Sequence, residues 1–181
     1  MQVRHALISS WRMAACLALA IAAFLPATSQ GVSGSSRMSR AETVKATQAL
    51  AKWFDCDSCG EADLKAVTRH KQAVVPSLVA TLNAGLSPAN RQALHDSFGA
   101  RYDELDAQGR KDPKFKMKST KDEFIARYVD QYDALYRMRA AEALGAIGGA
   151  NARAALKTAL TNAKSADVRK AIQEALQTAR Q

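Results

Sequence analysis

The stretch WFDCDSCGEADLKAV, residues 53–67, places Cys56 and Cys59 three positions apart. Thiols at that spacing can form half of a metal site, anchor a haem, exchange disulfides or close a short covalent loop. Haem attachment requires a histidine directly after the second cysteine, and Gly60 stands there instead. Zinc requires further ligands, and His70 and His95 lie at spacings that fit no compact Cys/His site, so no metal and no cofactor is expected. Disulfide exchange is favoured by a thiolate at a helix N-terminus, where Cys59 is expected to fall. It is opposed by Asp55 and Asp57, whose charges disfavour a second anion.

The choice between exchange and a structural bridge depends on the compartment. The first 29 residues carry Arg4 and Arg12 ahead of an uncharged run from Met13 to Leu25, then Pro26 and an Ala-x-Ser pattern at Ala27 to Ser29. A charged start, an apolar stretch too short to span and small residues describe a secretory signal cleaved near Ser29. Cys16 has no leucine three residues before it, which argues against a lipoprotein site. The product is expected in the periplasm or outside the cell, with residues 30–39 as a flexible leader and residues 40–181 as one domain. No second apolar run could cross a membrane. In an oxidising compartment the two remaining cysteines pair without remainder, so Cys56–Cys59 is expected to be a structural disulfide. Closing so short a loop contributes on the order of 2 kcal/mol in the chain-entropy model.

The chain has 26 basic and 17 acidic residues, a formal charge of +9, which falls to +7 when Arg4 and Arg12 leave. Beyond residue 40 the periodicity is that of helices. Ser39 caps a first helix with Val44, Leu50, Trp53 and Phe54 as core positions. Ser58 and Glu61 form a capping-box pattern that predicts a helix from Cys59. Val75, Leu78, Val79 and Leu82 make one stripe that ends at Gly85. Ser87 and Pro88 open a helix whose Leu94, Phe98, Tyr102 and Leu105 share a face. A second capping box, Thr120 to Glu123, starts a run of about 28 residues that ends at Gly148 and Gly149, followed by two short helices, the last capped by Ser165. Phe124, Tyr128, Tyr132 and Tyr136 recur every fourth residue and are expected in the core opposite Phe98 and Tyr102. No segment alternates as a strand would.

Residues 136–144, YRMRAAEAL, laid over 168–176, VRKAIQEAL, coincide at Arg, Glu, Ala and Leu, an offset of 32 that suits a repeating helical pair. AVVPSLVATL at 73–82 is an earlier echo, with Leu78 and Leu82 where Leu156 and Leu160 stand. On RAAEALGAIGGANARAAL and DVRKAIQEAL the chain resembles the HEAT repeat family, in particular the short, phycobilisome-lyase-like kind. Ala141, Ala143, Leu144, Gly145, Ile147, Gly148, Val168 and Arg169 match its pattern. The likeness is best over 134–178, weaker over 61–84, and interrupted over 87–133, which reads as an inserted long helical hairpin. The resemblance implies an all-α helical repeat that stacks neighbouring helix pairs and leaves a broad face for a partner.

Function is therefore expected to be non-catalytic protein binding, as a scaffold or adaptor. Arg153 and Lys157, one turn apart on the last outer helix, are candidate contacts, although a solvated polar face is the plainer reading. The segment from Arg110 to Lys121 holds six basic residues in twelve positions; Lys114, Lys116 and Lys118 would favour an anionic surface. A thiol–disulfide exchange protein using Cys56 and Cys59 is the alternative from another class. No nucleophile motif, base-assigned histidine or phosphate loop points to an enzyme.

Overall fold

The computed structural model describes residues 39–112, 114 and 116–180, so the expected signal at 1–29 and the leader up to residue 38 lie outside the described residues. Among the described residues seven helices follow one another: α1 Arg40–Asp55, α2 Glu61–Thr68, α3 Lys71–Ala84, α4 Pro88–Lys111, α5 Lys121–Ile147, α6 Gly149–Asn162 and α7 Ala166–Thr178. No strand occurs among the described residues.

Their starts are set by local hydrogen bonds. Ser39, Ser87 and Ser165 accept from the backbone N–H groups of Glu42, Asn90 and Val168. Thr120 and Glu123 form the reciprocal box, with Thr120 N–H to Glu123 at 2.9 Å and Glu123 N–H to Thr120 at 3.3 Å. The expected box at Ser58 and Glu61 does not form. Gly60 is the cap, its N–H donating to Asp63 at 3.1 Å, and α2 begins at Glu61. Gly85, Gly148 and Gly149 have φ of 74°, 66° and 83°, which side chains with a Cβ rarely adopt, so these residues turn the chain after α3 and between α5 and α6.

α5 is continuous over 27 residues, about 40 Å, and contacts each of the other six helices. Its second half pairs with α6, and α2 pairs with α3. α2 and α7 each touch α5, while α3 touches α6, so the inner helices α2, α5 and α7 form one layer and the outer helices α3 and α6 a second. Val67, Val74, Leu78, Leu144, Leu156 and Ile172 fill the space between the layers. Each contributes roughly 1.5–3 kcal/mol by burial. α4 touches α5 alone, forming with its first half a hairpin that leaves the stack.

Small residues set the tightest seam. A Cβ built on Gly145 of α5 would lie 2.8 Å from Cα of Ala175 in α7 and 2.9 Å from its carbonyl oxygen, so the two backbones meet there. In the hairpin, aromatic rings keep the helices apart. Phe98 stacks on Tyr128 with ring centres 4.9 Å apart and meets Phe124 edge-on at 6.4 Å; Tyr102 meets Phe124 at 5.5 Å.

Two expected core positions are corrected by helix geometry. Val44 is 48 % exposed, because nine residues are two and a half turns and place it opposite the buried Trp53. The four-residue aromatic stripe also rotates. Over the twelve residues from Phe124 to Tyr136 it turns by about 120°, so Phe124 meets α4 while Tyr136 stacks on Phe54 of α1, with ring centres 4.9 Å apart. Tyr132, between them, is 38 % exposed.

Candidate functional site

Cys56 follows α1 and Cys59 precedes the cap of α2; the two form a disulfide with Cα atoms 5.6 Å apart. Cys59 therefore stands one residue before the cap of α2 and not within its first turn. The N-terminus of α2 is occupied by Asp63, which accepts from Gly60 and pairs with Lys52 at 2.7 Å. Lys52 and then the Gly60 N–H hold its carboxyl below the usual aspartate range.

The disulfide turn is bolted to α5. Arg139 donates to the carbonyls of Phe54 and Cys56, the latter at 2.5 Å, and the Trp53 indole donates to the Arg139 carbonyl at 3.1 Å. The Tyr136 hydroxyl donates to Asp55. Burial first, and then Asp55, push the Tyr136 phenol far above its ordinary value, so it stays a donor at any physiological pH.

A second junction shows what the repeat arginines do. Arg137 donates to the carbonyls of Leu82 and Asn83 at 3.0 and 2.6 Å, satisfying the C-terminal end of α3. Thirty-two residues later, Arg169 donates to the carbonyl of Ala163 at 2.8 Å, at the end of α6. The coincident arginines of the two repeats thus act alike, and α5 and α7 each cap the outer helix before them. Arg137 also pairs with Asp133 at 2.7 Å, and Asp133 accepts from Leu86 N–H at 3.0 Å and from Arg91 at 2.5 Å. Burial opposes ionisation of Asp133, but Arg137, the Leu86 N–H and Arg91 outweigh it, and its pKa lies below the ordinary value.

Two grooves of about 580 Å³ each open on the stack. One lies between the C-terminal ends of α3 and α6 and the middle of α5, with Asn83, Asp130, Asp133, Arg137, Asn162 and Lys164 among its lining. The other joins Lys71, Val75 and Pro76 of α3 to the turn at Gly148 and the first residues of α6. The grooves thus mark the two ends of the α3–α6 pair.

The cations singled out by sequence occupy different places. Arg153 and Lys157 are exposed on α6 and line neither groove; Lys114, Lys116 and Lys118 are exposed between α4 and α5. The latter precede α5 and the former follow it, so most of its length separates the two groups. His95 is exposed beside Asp96, and His70 Nδ1 is 4.0 Å from a Glu42 carboxylate oxygen. Among the described residues no cluster of three or more His, Cys, Asp or Glu could hold a metal ion, and no helix is long and apolar enough to cross a membrane.

Two layers of paired helices with an exposed outer layer define an all-α repeat protein of the kind that binds other proteins. The family profile of HEAT repeats matches residues 75–177, more than half of the chain, and the protein belongs to that family. The match runs through the α4–α5 hairpin, where the repeat pattern in the sequence is interrupted. Neither a curated protein nor a solved structure matches the chain. HEAT repeats generally mediate protein–protein interaction and are typically non-catalytic.

Proposed function

We propose that this protein is a non-catalytic scaffold or adaptor that works in the periplasm or outside the cell and holds another protein on the outer face of its repeats. The observation that carries the reading is the exposed α3–α6 layer on a stack whose inner helix α5 touches every other helix. A rigid frame of this kind presents a fixed surface and has no need of a catalytic cleft. The N-terminal signal pattern and the Cys56–Cys59 bridge support the compartment.

The test has two parts. Affinity capture from the periplasmic fraction with the mature chain as bait should retain a partner that exposed-surface variants of α3 or α6 lose. The reduction potential of Cys56–Cys59 should lie well below the poise of the compartment, as for a structural bridge. A potential near that poise, together with turnover of a thiol substrate, would replace the scaffold by a thiol–disulfide exchange protein.

A further inference from the structure

We infer that the α3–α6 face takes an acidic, extended segment of a protein partner, a conclusion that rests on the scaffold reading and specifies its partner. The excess positive charge is unevenly distributed over the stack. α4 carries four basic and four acidic residues, α5 four and five, and α7 two and two. α3 and α6 carry Lys71, Arg153 and Lys157 with no acidic residue at all, and Lys164 follows in the turn to α7. All four side chains are exposed. Among the described residues, ion pairs involve α1, α2, α4, α5 and α7, and none involves these four cations. Among the described residues the outer layer is therefore a cationic face without acidic partners, while α4 and α7 are balanced and α5 carries one acid in excess.

Geometry selects the form of the ligand. α6 is 14 residues, about 21 Å, which an extended chain of six or seven residues spans. Arg153 and Lys157 stand about 6 Å apart along the axis, close to the spacing of alternate side chains on a strand. The exposed positions of α3 and α6 include Ala80, Ala150, Ala154 and Thr158, small side chains over which a backbone can lie close to the helices. The acids that line the grooves at its ends belong to α5: Asp133, already neutralised by Arg137 and Arg91, and Asp130.

The same face is poorly suited to the other anionic macromolecules. A single strand of DNA carries a charge about every 3.4 Å, far denser than four cations over this length, and neither α3 nor α6 has an aromatic side chain on which a base could stack. Among the described residues the exposed large apolar side chains are Val44 and Tyr132, neither on this face, which leaves it without an apolar side chain suited to a bilayer.

The test is fluorescence anisotropy of a labelled octaglutamate peptide with the full chain at low and at moderate salt, with hydrogen exchange to locate the contact. Binding should weaken at least tenfold in the Arg153→Glu/Lys157→Glu double variant and less than twofold in the Lys114→Glu/Lys116→Glu/Lys118→Glu triple variant, with protection gained in α6. Both variants change exposed residues, and unchanged melting temperatures verify their folds. The inference is overturned if the double variant binds as well as wild type, if protection maps to the segment between α4 and α5, or if oligothymidylate of equal charge or phosphatidylglycerol vesicles bind this face more tightly than the peptide. A scaffold whose captured partner ignores Arg153 and Lys157 would retain the broader function while losing this one; a chain that captures no protein would lose the broader reading itself.

Discussion

In its last turns α5 meets α7 through Ala and Gly, with Gly145 against the backbone of Ala175; in its first turns it meets α4 through Phe98, Tyr102, Phe124 and Tyr128. The seam and the hairpin share a helix but tolerate change differently. Where backbones touch, an added methyl has nowhere to go. Where rings and long side chains separate the helices, a neighbour can yield by rotating. Glycine therefore has opposite meanings in the two regions, imposed by a neighbour at position 145 and merely permitted by space at position 99.

Gly145→Ala tests this contrast most severely. Its Cβ would fall within 3 Å of Ala175, so the variant should lose about 1–3 kcal/mol by overpacking, read as a lower urea midpoint. A wild-type midpoint would mean that α5 and α7 do not meet as closely as described.

Asp133 lies on α5 between the two regions, and its carboxylate ties the start of α4 to the arginine that caps α3. Its native pKa is depressed, so it contributes stability that is present above its unfolded pKa and is lost as pH falls through the folded value. Asp133→Asn should cost roughly 1–2 kcal/mol at neutral pH and flatten the decline in stability below about pH 4. Thermal melts from neutral to strongly acidic pH would measure both, and parallel curves for variant and wild type would remove Asp133 from the acid transition.

Gly99→Ala should have the smallest effect and the opposite sign. Its Cβ would find Lys121 Cε at 3.5 Å and Ile125 Cδ1 at 3.6 Å, ordinary contacts, while alanine restricts the unfolded chain and favours helix. A gain of about 0.5–1 kcal/mol is expected. A loss as large as that of Gly145→Ala would show that the hairpin packs like the seam.

The amino-acid sequence alone determined the helical class, most helix ends, the disulfide partners and the 32-residue repeat. These depend on caps, periodicity and spacings within a few positions of one another, as at Ser87, Thr120 and Ser165. It misplaced the start of α2, because two serviceable caps stood two residues apart and Gly60 with Asp63 prevailed over Ser58 with Glu61. Tertiary structure alone decided that Val44 faces solvent, that the aromatic stripe divides between α1 and α4, and that Arg139 and Arg137 reach carbonyls 83 and 55 residues away. It also gathered the unpaired cations of α3 and α6 onto one layer. The reason is range: a cap or a helical period is written in neighbouring residues, whereas the choice of which carbonyl, backbone or charge lies opposite is made only when helices distant in the chain are packed together.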